Sequence, residues 1–300
     1  MQIYANHNGN LKEVKERPFK LEREIQQVFE SNLMDIMGLT LVRSEFSIKN
    51  KRIDTLGYDD QATAFIIIEY KRDKNVSVVD QGFTYLSLML ENKADFIVEY
   101  NEQLKKTLKR NDVDWSQTRV AFVSPSFTEN QIQATNFKDI AIELWEVRQY
   151  ENGTVSINEL KHSKSAASIK PITQQNVALK KIVDEIKVYS EEDHASRAGE
   201  TIYELYEKFR DAILNLGDGI EFKPQKHYVA FKKDSNIACL ELQKKKMKIF
   251  VGAKAGSLDD PKNLAKDVSQ IGHFGTGDYE IAVDSDKDLE YIMSLIKQAL

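Results

Sequence analysis

At residues 64–68 the chain reads AFIII, five apolar positions in a row, and the run then ends abruptly in Glu69, Tyr70 and Lys71. A short apolar run without alternation predicts a β-strand buried on both faces. Alternation along that strand sends Glu69 and Lys71 to one face at its end and Tyr70 to the other. The preceding stretch KRIDTLGY predicts a neighbouring strand that carries Asp54, joined to the apolar strand through a turn at residues 59–62. Two carboxylates and an ammonium therefore converge at one end of a sheet. Carboxylate oxygens suit a hard cation such as Mg²⁺, and a nearby lysine can orient a metal-bound water. The same three residues also read as a salt-bridge cluster, since charges beside a buried strand must find partners or a metal.

The pattern Asp54, spacer, Glu69-x-Lys71 after an apolar strand resembles the signature of the PD-(D/E)XK nuclease superfamily, with Ile53 where the signature has proline. Gln81 and Tyr85 extend the likeness as the Gln-x-x-x-Tyr of RecB-like members. RIDTLGYDD followed by IIIEYKRDKN and a glutamine is similar to NucS-type endonucleases. The resemblance spans roughly residues 20–100. It implies a restriction-endonuclease-like core and hydrolysis of DNA phosphodiester bonds in repair, restriction or phage defence, dependent on Mg²⁺ with Mn²⁺ as a substitute. Asp54, Glu69 and the Tyr70 carbonyl would hold the metal, and Lys71 would position the attacking water. Gln81 and Tyr85 would shape the site and contact DNA, with Arg52 and Arg72 as further nucleic-acid contacts. Many members add a glutamate from the first helix. Glu24 is the residue that fits this role here, with Glu22 second. The other reading is a catalytically inactive nuclease-fold module that binds nucleic acid or a protein partner.

That first helix is predicted over about residues 20–34, with Leu21, Ile25, Val28, Phe29 and Asn32 on one face. Glu24 borders this face one turn before Val28, whereas Glu30 points nearly opposite. A hairpin turning at Asn8-Gly9 precedes the helix. A three-stranded meander follows it, then helices over 78–91 and 95–108, strands near 119–123 and 140–147 with a helix between them, and a last strand near 154–157. The sum is an α/β fold, a mixed sheet flanked by helices.

Residues 161–175, KHSKSAASIKPITQQ, lack aromatics and collect Ser, Ala and Lys, a linker composition. The expected division is a nuclease-like domain over 1–160, a linker and short helix over 161–190, and a smaller α+β domain over 191–300. The last domain begins with a helix whose apolar positions run from Ile202 to Leu216, continues through antiparallel strands and closes with a helix. It resembles an uncharacterised C-terminal domain of bacterial proteins loosely called predicted transport proteins, and its ligand is left open.

Net charge is −5, with 20 Lys+Arg against 25 Asp+Glu in residues 1–160 and 22 against 22 in 161–300. This balance excludes a protein that coats nucleic acid by its global field, so any DNA contact must use local basic patches. No apolar run nears the ~20 residues of a membrane span, and the N-terminus has no basic region followed by an apolar one. Cys239 is the single cysteine, which excludes a disulfide framework and a cysteine-based zinc site. The five histidines show no metal-ligand spacing. A cytoplasmic protein follows, with no membrane partner and a homodimer left possible.

Overall fold

The apolar run lies within the strand Ala64–Tyr70, and all of that strand's residues are buried. The computed structural model describes residues 2–72, 77–163, 165–233, 235–273 and 275–300. Residues 73–75 of the IIIEYKRDKN stretch therefore lie outside the described residues, as does residue 76. The chain divides into two units, Met1–Val188 and Tyr189–Leu300.

The first unit opens with a hairpin of β1 (Ile3–His7) and β2 (Asn10–Val14). Asn8 and Gly9 between them have φ of 52° and 90°, the left-handed pair that a tight hairpin turn of this hand requires. Next come α1 (Glu22–Ser31), α2 (Leu33–Met37) and the meander β3 (Thr40–Ile48), β4 (Lys51–Asp59) and β5 (Ala64–Tyr70). They are followed by α3 (Val78–Glu91), α4 (Lys93–Leu104), β6 (Arg119–Ser124), α5 (Glu129–Thr135), β7 (Ile142–Gln149) and β8 (Val155–Glu159). Ser77 caps α3 by accepting from the Asp80 N–H, and Thr128 forms a capping box with Gln131 at α5. Both caps satisfy donors that a helix start leaves unpaired.

Among the described residues these strands form a six-stranded sheet in the order β3-β4-β5-β6-β7-β8. The β5–β6 and β6–β7 pairs are parallel and the others antiparallel, so the sheet is mixed. Ile53, Phe65, Ile67 and Phe122 pack on one face with Phe83, Leu86 and Met89 of α3. Ile66, Ile68, Tyr70 and Val123 pack on the other with Ile25 and Phe29 of α1. Burial on both sides explains why the β5 sequence carries no alternation. At the far end of the sheet Arg119 sits between Asp59 at 2.9 Å and Glu143 at 2.8 Å, tying β4, β6 and β7 together.

The segment expected to be a linker belongs to this unit. The linker stretch itself forms α6 (Lys170–Thr173), the short helix expected after it is α7 (Val177–Glu185), and Ile169, Ile182, Val183 and Ile186 are buried in the α3-side core. Its polar composition describes the outer side of these helices, where Ile172 and Val177 are also exposed, while Ile169, Ile182, Val183 and Ile186 turn inward. Asp139 fixes its start by accepting from the Ile169 N–H at 2.7 Å and the Ser168 hydroxyl at 2.5 Å.

The second unit starts with α8 (Glu191–Ala195) and α9 (Glu200–Leu214). The strands β9 (Glu221–Pro224), β10 (Val229–Lys232), β11 (Asn236–Leu242), β12 (Met247–Val251), β13 (Lys266–Asp267) and β14 (Tyr279–Val283) follow, and α10 (Leu289–Ile296) closes the unit. The strands pair antiparallel in the order β13-β14-β12-β11-β10-β9. Residues of α9 and α10, among them Phe209, Ile213, Leu295 and Ile296, join Val229, Leu240 and Ile249 in one core. This is the α+β unit expected from the sequence. Among the described residues no helix is long and apolar enough to cross a membrane.

Candidate active site

The β4–β5 ladder runs from Asp59↔Ala64 to Thr55↔Ile68 and stops there. One more step in the same register sets Asp54 opposite Glu69. The strands fork at this point, and the Tyr70 N–H donates to Asp54 Oδ2 at 3.0 Å. On its other side β5 stays paired, since the Lys71 N–H donates to the Val123 carbonyl at 2.8 Å. The fold thus brings Asp54, Glu69 and the Tyr70–Lys71 main chain to one place, at the end of a strand that is otherwise completely buried.

Glu69 is 3% exposed, and its carboxyl meets that of Asp54 within hydrogen-bonding reach. Burial, and then the charge of Asp54, push its pKa up to about 8, while the Lys71 ammonium offsets this only in part. A salt-bridge cluster would leave Glu69 an ordinary carboxylate. Here the negative charge is under-compensated. Gln81 Nε2 donates to Glu69 Oε2 and to the Tyr85 hydroxyl, both at 3.3 Å, and the Tyr85 hydroxyl also hydrogen-bonds the Glu69 carboxyl. Burial, followed by the adjacent Glu69, raises the Tyr85 phenol. The Tyr70 side chain points to the opposite face, edge-on to Phe29 with ring centroids 5.8 Å apart.

The first helix brings its second candidate, Glu22, to the cleft beside Asp54, but not its first. Glu24 does not reach this site. Its Oε2 accepts the Lys20 N–H at 2.8 Å, and it lines a separate groove with Arg17, Lys20 and Gln27. The reason is the rotation of α1: its buried residues are Ile25, Gln26 and Phe29, while Leu21, counted on the apolar face, is exposed. This turn brings Glu22, Gln26 and Glu30, spaced four apart on one flank, onto an open cleft of about 580 Å³ with Ser44, Glu45, Arg52, Asp54 and Tyr70. Glu30 accepts from the Thr55 hydroxyl at 2.5 Å and from Gln26 Nε2 at 3.0 Å. Gln26 and Glu30 are the residues that sequence reasoning missed. The i, i+4, i+8 spacing of 22, 26 and 30 was the available signal, but hydropathy scores a buried amide as a surface residue.

The two arginines flank the cleft differently. Arg52 pairs through Nε with Glu45 and stays largely exposed. Arg72 binds back to the start of α1, its N–H donating to Glu22 Oε1 at 2.9 Å and its guanidinium to the Lys20 carbonyl at 2.8 Å.

Among the described residues no group of three or more His, Cys, Asp or Glu side chains is placed to hold a metal ion. The oxygen donors at the fork are two carboxylates and a main-chain carbonyl. That set fits Mg²⁺, which takes one or two carboxylates and leaves its other positions to water and phosphate. Two observations agree with the fit: the raised Glu69 carboxyl, and Gln81 Oε1, which is buried beside it with no hydrogen-bond partner.

Residues 191–300 match the model of a domain of unknown function, DUF5655. Over its full 300 residues the chain is 56% identical to an uncharacterized protein of Haemophilus influenzae, covering 99% of that protein. Among solved structures it is similar to an EndoMS complex with double-stranded DNA, at a TM-score of 0.30 and 18% identity over 43% of this chain and 47% of that one. A repair endonuclease from Pyrococcus abyssi gives a TM-score of 0.25 and 19% identity over 43% and 48%. The chain therefore spans about half the length of these structures' chains.

Proposed function

The chain belongs to one family with the Haemophilus influenzae protein, and from the fork between β4 and β5 we propose that it is a divalent-metal-dependent deoxyribonuclease. The observation that carries this reading is the pairing of the buried Glu69 with the half-buried Asp54, in which burial and the neighbouring carboxylate raise Glu69 to about 8. A buried carboxyl held beside a second carboxyl marks a site arranged for a cation or a proton, since such shifts gather where chemistry is done. Asp54, Glu69 and the Tyr70 carbonyl hold the ion. When bound, Mg²⁺ supplies Lewis-acid stabilisation of phosphoryl oxygens and makes water a stronger nucleophile.

Each remaining residue has a physical task. The Lys71 ammonium, on the Glu69 side of the strand, orients the attacking water. Gln81 and Tyr85 fix the Glu69 carboxyl by hydrogen bonds from a rigid helix. The cleft that leads to Asp54 carries the Arg23 and Arg52 guanidinium groups at its rim, where they meet phosphates by bidentate contacts. DNA is the substrate implied by the likeness of residues 20–100 to NucS-type endonucleases.

The test is a cleavage panel on single-stranded, duplex, flapped and mismatched DNA and on RNA, with Mg²⁺ or Mn²⁺. Wild type is compared with Asp54→Asn and Glu69→Gln, and Mn²⁺ binding is followed by calorimetry. Cleavage and Mn²⁺ binding should both be lost in the two variants while the far-ultraviolet circular dichroism is kept. A wild type that neither binds Mn²⁺ nor cuts any substrate overturns the assignment.

A further inference from the structure

Asp54 lies where main-chain pairing fails on both sides of β4. Toward β5 the ladder ends at Thr55. Toward β3 the pairs Ser44↔Thr55 and Phe46↔Ile53 bracket it without a Glu45↔Asp54 pair. Glu45, opposite it, has a φ of 56°, a left-handed conformation inside the continuous strand β3 where the pair to Asp54 is missing. Something other than a ladder must therefore hold the Asp54 main chain.

Gln26 occupies that place. Its side chain reaches in from α1 and the residue is only 6% exposed. Nε2 lies 3.0 Å from the Asp54 carbonyl oxygen, 3.0 Å from Glu30 Oε1 and 3.2 Å from Ser44 Oγ. A main-chain carbonyl and an ionised carboxylate only accept, so the amide must present its nitrogen. Both of its N–H groups are then engaged. A glutamate here would set a further negative oxygen against Glu30 and the Asp54 carbonyl. The side chain best matched to this pocket of acceptors is a neutral donor of this length.

We propose that Gln26 is a positioning residue for the metal ligand Asp54, an inference that rests on the metal-site reading above. The α1 amide holds the Asp54 carbonyl while the Tyr70 N–H holds its carboxylate. Held at both ends, Asp54 keeps its carboxyl within hydrogen-bonding reach of Glu69. Partners of this kind, one shell behind the ligands, typically change metal affinity by roughly 10–100-fold when removed.

The experiment uses the full chain and two variants, Gln26→Met, which keeps the volume without the donors, and Gln26→Asn, whose amide is one methylene too short. Thr55→Val serves as the control, since it removes a hydrogen bond to Glu30 without touching the hold on Asp54. Mn²⁺ affinity is measured by calorimetry at a temperature where circular dichroism shows each protein folded. Both Gln26 variants should bind Mn²⁺ roughly 10–100-fold more weakly than wild type, and Thr55→Val within about threefold of it, whatever the order of their melting temperatures. Unchanged affinity in the Gln26 variants, or an equal loss in Thr55→Val, overturns the positioning role and leaves the metal site standing. If neither Gln26 variant folds, Gln26 is a scaffold residue and the proposal is again overturned. A wild type without Mn²⁺ affinity removes the metal site itself.

Discussion

At Glu69 the folded chain holds a carboxyl group far from the state that water would give it. Its pKa is raised from 4.5 to about 8, first by burial and then by Asp54. Between those two values the native protein binds a proton that the unfolded chain has released. The associated stability is full below pH 4.5 and is lost as the pH rises to about 8. In a chelator the melting temperature of wild type should therefore fall across this interval, by an amount reflecting a few kcal/mol. Glu69→Gln should flatten the curve, and millimolar Mn²⁺ should restore stability at the alkaline end. A wild-type curve that rises or stays level over the interval would show that Glu69 is an ordinary carboxylate. Lys71 separates catalysis from scaffolding more sharply. Lys71→Ala should keep Mn²⁺ and DNA binding and lose cleavage by at least a hundredfold, the mark of stabilisation realised in the transition state. Lys71→Arg should rescue poorly, because a planar guanidinium does not place one donor as a compact ammonium does. Lowered stability with unaltered cleavage per folded molecule would make Lys71 a structural partner of Glu69 instead.

At the scale of elements, α3 carries the second half of the site, and its approach depends on one residue. A Cβ at Gly82 would lie 2.9 Å from Ile142 Cγ1 and closer still to its Cδ1. Glycine at 82 therefore lets the helix that carries Gln81 and Tyr85 sit directly on β7. Gly82→Ala gains about 1 kcal/mol of helix propensity, but overpacking a tight core costs typically 1–3 kcal/mol. The expected net effect is a lower melting temperature together with weaker cleavage, because Gln81 and Tyr85 retreat from Glu69. A more stable variant with full activity would show that Ile142 simply changes rotamer. This helix was legible from sequence because its signals agree: an apolar side at helical spacing and two polar residues, Gln81 and Tyr85, four apart on one face. The first helix was legible as a helix but not in its rotation. Periodicity ranks Leu21 above Gln26 for burial, and only the unpaired main chain of Asp54 explains why an amide goes inside. The left-handed Glu45 opposite Asp54 leaves no trace in a hydropathy pattern. The fork could be placed from sequence, but its two-sided nature could not.

At the scale of the molecule, the boundary between the units tests how far composition predicts packing. A chain cut at residue 160 would keep every strand of the first sheet. It would also strip Ile169, Ile182, Val183 and Ile186 from the α3-side core, where all four are buried. Each buried aliphatic side chain contributes about 1.5–3 kcal/mol, so the loss is a sizeable fraction of the roughly 5–15 kcal/mol that holds a domain together. The cut also removes Glu185, the partner of Lys93 at the start of α4, although such half-exposed pairs contribute little. A fragment ending at Val188 retains the whole core. It should melt cooperatively, and its α3, packed on α7 through that core, should still carry Gln81 and Tyr85 to Glu69. The fragment ending at 160 should melt far lower or without a cooperative transition, and should expose apolar surface to a reporter dye. Calorimetry of the two fragments, with Mn²⁺ affinity measured on whichever folds, decides the point. Equal melting temperatures would return residues 161–175 to the status of a linker. A folded 1–188 fragment that binds Mn²⁺ as the full chain does would show that the site is complete within the first unit, leaving residues 189–300 free to serve a separate purpose.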